Sequence, residues 1–329
     1  MHDQQPIPRR TFIRFGLGAA AMTFGLLPSG RIFAANDNPP GKIAYAKDGD
    51  IWEWMSGVKP RRIVEDGAAM DPAWDPAGSL MLYARNGGSF SDLILINPQT
   101  GVRKALTDNE SDAQQGSPDY VNGCSWALDP CWSHEQVACF VSDADAEYGE
   151  MSLWVILPEA AYAYEAASDG GDQGAIENVS VDGGATYCVY TVLAAGGTEG
   201  GTTYITLRDL NTGTTWPIIE GPLGAYDAAI SPDSKWIVTS IRDENGVSDL
   251  WMFDREQETL TRLTENEQAS GSVWSPDGEW IAWLAREESG FGIKALRIDS
   301  NSGNRIGDAK RLVDPDGIDA TSGLSWAPR

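Results

Sequence analysis

From residue 41 onward, short apolar runs alternate with polar clusters rich in Pro, Asp, Gly and Asn. That alternation predicts short strands joined by tight turns, with no long helical periodicity. One stretch reads Met70-Asp71-Pro72-Ala73-Trp74-Asp75-Pro76-Ala77-Gly78, and a later one Ser272-Val273-Trp274-Ser275-Pro276-Asp277-Gly278. Between them come Asp129-Pro130-Cys131-Trp132-Ser133-His134, the weaker Asn178-Val179-Ser180-Val181-Asp182-Gly183, and Ala229-Ile230-Ser231-Pro232-Asp233. A last copy is Leu324-Ser325-Trp326-Ala327-Pro328. Anchored on Trp74, Trp132, Val179, Ile230, Trp274 and Trp326, the steps are 58, 47, 51, 44 and 52 residues. A strand-built repeat of about fifty residues predicts a propeller or solenoid.

Each unit divides into four strands. An apolar first strand enters a Ser-Pro-Asp-Gly type turn, where proline presets the bend and glycine accepts positive φ. A second strand and a polar loop follow, then a third strand such as Asp50–Trp54 or Asp249–Phe253. The fourth is the Leu-Thr ending at Arg103–Thr107 and Thr261–Thr264. Four such strands make a propeller blade. The expected fold is all-β, a six-bladed β-propeller of four-stranded antiparallel blades closed by pairing of the N- and C-terminal strands. The expected blades are 320–329 with 41–64, then 69–107, 122–157, 176–219, 225–264 and 270–313. Closure removes the sheet edges that otherwise template aggregation.

The Trp-Ser-Pro-Asp-Gly turn, the Leu-Thr-x-Asn-Glu junctions at Leu106–Glu110 and Leu263–Glu267, and the Asp-Leu-Trp strand resemble the TolB-like six-bladed β-propeller family of WD40-like repeats. The resemblance covers residues 41–329. It implies one architecture shared by protein-binding scaffolds, peptidase accessory domains and some lyases, so function has to be argued from the site.

Residues 1–35 have another character: Pro8-Arg9-Arg10-Thr11-Phe12-Ile13-Arg14, an apolar run from Phe15 to Leu27, then Ile32-Phe33-Ala34-Ala35. This resembles a twin-arginine signal peptide, expected to be cleaved after Ala34 or Ala35, with residues 36–329 forming the propeller domain. The apolar run is too short to span a bilayer, and no later stretch is longer. Export by that route implies a periplasmic or secreted protein. Oxidising conditions there allow Cys124, Cys131, Cys139 and Cys188 to pair, in any of three connectivities.

The chain carries 24 Lys and Arg against 48 Asp and Glu, a net charge of −24. Nucleic acid and anionic membrane surfaces are therefore poor partners. Catalytic motifs are scarce as well. No G-x-S-x-G elbow, phosphate loop or dinucleotide fingerprint occurs. His2 and His134 are the only histidines, and His134 stands where other repeats have the turn proline. A zinc site needs more histidines or a cysteine cluster at closer spacing.

Three residues before the anchors stand Asp71, Asp129, Ile176, Asp227, Gly271 and Gly323. First strands line a propeller's channel, which puts Asp71, Asp129 and Asp227 near its mouth. Carboxylates facing one axis resist ionising unless a cation or hydrogen-bond donors compensate, and oxygen ligands of this kind suit Ca²⁺. The competing reading is that each aspartate caps its own turn. Asp143–Glu150 and Asp314–Asp319 are weaker calcium candidates that also read as loop and turn. Two insertions, 108–121 and 158–175, interrupt the spacing. The second carries Tyr162 and Tyr164 in a small-residue setting suited to a partner surface, or else forms an outer strand or short helix. The sequence thus points to a scaffold or accessory subunit that binds another periplasmic or envelope protein or peptide. The alternative is a carbohydrate lyase or hydrolase using channel carboxylates and Ca²⁺.

Overall fold

The computed structural model describes residues 38–134, 137–144, 150–159, 162–167, 175–193, 203–221 and 223–329. The twin-arginine segment lies outside them. The first strands are β1 (Lys42–Lys47), β2 (Asp50–Met55) and β3 (Val58–Val64). Blade two is β4 (Ala69–Trp74), β5 (Met81–Asn86), β6 (Ser91–Ile96) and β7 (Arg103–Ala105). The single-turn helix α1 (Pro118–Asn122) leads to blade three, β8 (Ala127–His134), β9 (Val137–Ser142), β10 (Ser152–Leu157) and β11 (Tyr162–Ala167). Blade four is β12 (Ala175–Val181), β13 (Tyr187–Leu193), β14 (Thr203–Asp209) and β15 (Thr215–Glu220). Blade five is β16 (Ala225–Ile230), β17 (Trp236–Arg242), β18 (Ser248–Asp254) and β19 (Thr259–Arg262). Blade six is β20 (Ala269–Trp274), β21 (Trp280–Glu287), β22 (Gly290–Ile298) and β23 (Arg305–Val313). The final strand β24 (Ser325–Ala327) pairs antiparallel with β1 and becomes the inner strand of blade one. The expected six-bladed propeller with terminal closure is the observed fold.

Apolar side chains collect between blades. Six core clusters each join neighbouring sheets, one of them setting Trp74 among residues of blades one and two, another Trp274 among residues of blades five and six. Two of the four repeated tryptophans also tie a blade to its predecessor by hydrogen bonding. Trp132 Nε1 donates to Ala73 O at 3.0 Å, and Trp274 Nε1 donates to Ala229 O at 3.0 Å. At the turns, Gly78 and Gly278 adopt φ of 70° and 69°, the left-handed conformation that makes glycine recur there. Ser234 and Ala185 fill the same slot in blades five and four at φ of 63° and 50°.

The Asp-Leu-Trp and Leu-Thr-x-Asn-Glu motifs are two halves of one device. Asp249 on β18 accepts from Thr264 Oγ1 at 2.8 Å, Asn266 N at 2.9 Å and Glu267 N at 3.0 Å, and pairs with Arg262 at 2.6 Å. The segment it grips leads into the next blade. Asp50 does the same with the N–H groups of Asp66 and Gly67 and with Arg62, and Asp92 with Thr107 and Asn109.

Two expectations are corrected. Blade three continues past residue 157, because Tyr162–Ala167 forms its outer strand β11. In blade four the anchor is Val181, not Val179. The strand bulge falls between Glu177 and Ser180 there, as it falls between Met70 and Ala73 in blade two. Lacking the tryptophan and proline of the other turns, this unit gave no sequence mark for its register, and a two-residue slip resulted.

Candidate functional site: an acidic channel

The inner strands surround a cavity of about 570 Å³ whose lining, among the described residues, includes five aspartates and no Lys or Arg. Asp75 and Asp182 are occupied by their own turns, Asp75 Oδ1 accepting from the N–H groups of Ser79 and Leu80 and Asp182 Oδ1 from those of Thr186 and Tyr187. Asp71, Asp129 and Asp227 are different. Each is the extra residue of a bulge, in the left-handed region at φ of 49°, 48° and 53°. The fourth member is Asn178 at 51° and the fifth Gly271 at 57°. Ile176 is instead a fully buried core residue, as the register correction requires. Asp, Asn and Gly are the residues that tolerate this backbone.

Left-handed geometry aims each carboxylate at the neighbouring blade. Asp129 Oδ2 accepts from Asn178 N at 3.1 Å, and Asp227 Oδ2 from Gly271 N at 3.0 Å. Asp71 reaches both ways, with Asp129 N on Oδ2 at 3.5 Å and Gly323 N on Oδ1 at 3.4 Å. The aspartates therefore clasp one blade to the next; the bonds run to neighbouring blades and not to their own turns.

The charge on these groups is poorly compensated. Burial raises the Asp71 pKa to about 6 despite its backbone hydrogen bonds. Burial, with the Asp71 charge beside it, lifts Asp129 well above the carboxylate range. Asp227 is raised by burial and by the nearby Glu177. Among the described residues no three His, Cys, Asp or Glu side chains converge closely enough to hold a metal ion, so the three aspartates form a ring of separate clasps and no preassembled cage. The other calcium candidates are Asp143–Glu150 and Asp314–Asp319. Residues 145–149 lie outside the described residues, Asp316 pairs with Lys47 at 2.6 Å, and Asp319 holds its own turn through Thr321.

His134 is the last residue of β8, and its side chain lies outside the described part. Tyr162 and Tyr164 sit far from the channel, on the outer strand of blade three. Both are exposed, with ring centroids 6.1 Å apart. The other five outer strands each carry Lys, Arg or Pro: Arg61 on β3, Arg103 on β7, Pro217 on β15, Arg262 on β19 and Lys310 on β23. Such residues blunt an open sheet edge, and β11, reading Tyr-Ala-Tyr-Glu-Ala-Ala, has none. Comparing all six edges in the sequence finds this signal once the strands are assigned.

No family model matches the chain. An uncharacterized protein of Agrobacterium fabrum is 34% identical over 101 residues, spanning 30% of this chain and 34% of that protein's length. Among solved structures, TolB from Acinetobacter baumannii superposes with a TM-score of 0.62 at 16% identity, covering 88% of this chain and 67% of the other. A putative TolB from Agrobacterium tumefaciens gives 0.64 at 12% identity, covering 88% and 94%. An oligogalacturonate lyase in complex with manganese gives 0.53 at 11% identity, covering 84% and 74%. At these identities the likeness shows a shared six-bladed β-propeller fold and no more.

Proposed function

We propose that the protein is an exported propeller scaffold or accessory subunit that binds another protein or peptide through its channel mouth and the edge of β11. The observation that carries the reading is β11 itself, the one outer strand of the described residues without Lys, Arg or Pro, with Tyr162 and Tyr164 exposed on either side of Ala163. An extended partner segment adds to such an edge by main-chain pairing, while tyrosines supply rigid contact area. The channel mouth complements it, since Asp71, Asp129 and Asp227 favour a cationic group entering from a partner. Twin-arginine export of the folded chain fits assembly with that partner before or during translocation. Cross-linked affinity isolation of the tagged protein from its host tests this. A stoichiometric partner retained by the parent chain and lost with Tyr162→Lys/Tyr164→Lys is the expected result; recovery of the propeller alone from both sinks the reading.

A second reading, a carbohydrate lyase or hydrolase, draws on the lyase that shares the fold and on the protonatable channel aspartates. A polyuronate is repelled by a lining with five Asp and, among the described residues, no Lys or Arg, so this reading needs a bound cation such as Ca²⁺. It predicts that calcium raises the melting temperature and that Asp71→Asn with Asp227→Asn abolishes the rise. If calcium leaves the unmutated protein unchanged, the cation reading fails.

A further inference from the structure

The repeat allows one slot to be compared across all blades. Two residues after the bulge position, the inner strand faces its second strand through Ala73 and Leu82, Ser180 and Val189, Ala229 and Val238, Val273 and Ala282, and Ser325 and Ala44. In blade three the same slot holds Cys131 and Cys139. The two thiols are close enough for Cys139 to raise the Cys131 pKa. Residues directly opposite in an antiparallel pair have Cα atoms about 4.5–5.5 Å apart, within the range of about 4.4–6.8 Å that a disulfide bridges. Cys188 belongs to the next blade and packs into the same inter-blade core as Cys139 and Cys131, but its cross-strand partners are Val181 and Arg208, so it faces neither of them across a strand pair. Cys124 lies outside that core, between α1 and β8. Cys131 lines the channel, whereas Cys139 and Cys188 are fully buried. A reagent entering the channel therefore meets Cys131 first.

We propose that Cys131 and Cys139 form a dithiol site that closes to an intrablade disulfide on reaction with a low-molecular-weight or protein disulfide, leaving Cys124 and Cys188 reduced. The Cys131 thiolate attacks one sulfur of the oxidant, giving a mixed disulfide and releasing the first thiol. Cys139 then attacks Cys131 Sγ, forming the internal bond and expelling the second. Two electrons and two protons pass to the oxidant, which leaves as two thiols. The neighbouring Cys139 thiol and burial hold the Cys131 thiol well above its ordinary range, so closure is slow at neutral pH and speeds up toward alkaline pH. Closed, the bond pins the inner hairpin of blade three, two residues from Asp129.

The test incubates the folded full chain with oxidised glutathione, alkylates remaining thiols in denaturant and digests with a Glu-specific protease. Cuts after Glu110, Glu135, Glu147, Glu177 and Glu199 put Cys139 and Cys188 on separate peptides, and a chymotryptic cut after Trp126 parts Cys124 from Cys131. The expected product links the Cys131 and Cys139 peptides, with Cys124 and Cys188 alkylated. Four alkylated cysteines, or a link through Cys124 or Cys188, overturns the proposal. With Cys139→Ser the second step is blocked and a glutathione adduct is expected on Cys131; an adduct on Cys188 instead also overturns it.

Discussion

Asp249 and Asp71 are both buried aspartates that accept backbone N–H groups across a blade boundary, yet their carboxyls are displaced in opposite directions. At the junction, burial pushes the Asp249 pKa up, but the Glu267 N–H, the Arg262 guanidinium, the Thr264 hydroxyl and the Asn266 N–H together hold it below the ordinary value. Asp50 repeats the arrangement with the Asp66 N–H, Arg62 and the Gly67 N–H, and is lowered too. In the channel, burial prevails and no Lys or Arg of the described residues lines the cavity, so Asp71, Asp129 and Asp227 are all raised. A buried carboxylate is held toward its charged form when several donors and an arginine surround it, and toward its protonated form when only one or two donors reach it and no cation does. The junctions are thus built for stability. The channel holds charge that something else can relieve.

Removing a junction aspartate should have the largest effect. Asp249→Ala strands two backbone N–H groups, the Thr264 hydroxyl and Arg262, and at roughly 1 kcal/mol or more per lost partner the cost should reach about 3 kcal/mol or more. Equilibrium denaturation in urea reads it. A loss below about 1 kcal/mol would mean that water replaces Asp249 at no penalty, and the junction would not be the device described.

The opposed shifts also give stability a pH optimum. A raised carboxyl binds its proton more tightly in the folded state, so its contribution is complete below the unfolded value of 3.8, and for Asp71 it is lost as pH rises through about 6. A lowered carboxyl contributes above 3.8 and loses that contribution as pH falls through its folded value. The melting temperature should therefore rise on acidification from about pH 7.5 to about 5 and fall steeply below about 4. Asp71→Asn with Asp227→Asn should raise the melting temperature at about pH 7.5 and flatten the first limb, leaving the second in place. If the double variant keeps the parent's slope between those values, the channel aspartates are ionised and well solvated, and the contrast with the junctions disappears.

How much of this was legible in the sequence depends on how far a residue's role is local. The turn announces itself because proline, aspartate and glycine each meet a backbone demand of the same four residues, so strands, blade number and closure followed from pattern alone. The Leu-Thr-x-Asn-Glu motif was visible as a recurrence, but its partner Asp249 lies on the preceding strand, and only pairing of β18 with β19 brings them together. Asp71, Asp129 and Asp227 were placed near the channel by register, while their bonds to the following blade depend on the left-handed bulge, which no residue type dictates. Blade four shows the limit most clearly. Its bulge carries Asn178 and its turn has neither tryptophan nor proline, so the correct register is written only in the hydrogen bonds between β12 and β13.

Asn178 supplies the finest test, because it is the neutral member of the same ring. Its N–H already donates to Asp129 Oδ2 at 3.1 Å, and its own side chain stands where blades two, three and five present a carboxylate. Asn178→Asp leaves volume and left-handed preference nearly unchanged and adds one charge beside Asp129, which is already lifted by burial and by the charges of Asp71 and Asp227. The substitution should cost about 0.5–1 kcal/mol at about pH 7.5 and less at about pH 5, which lies below the Asp71 value of about 6. Melting curves of variant and parent at the two pH values measure the difference. Equal losses at both would assign the effect to packing, whereas a loss confined to the higher pH ties it to charge. That second outcome also predicts that the variant gains more than the parent from any cation that enters the channel, since the added carboxylate raises the repulsion the cation relieves.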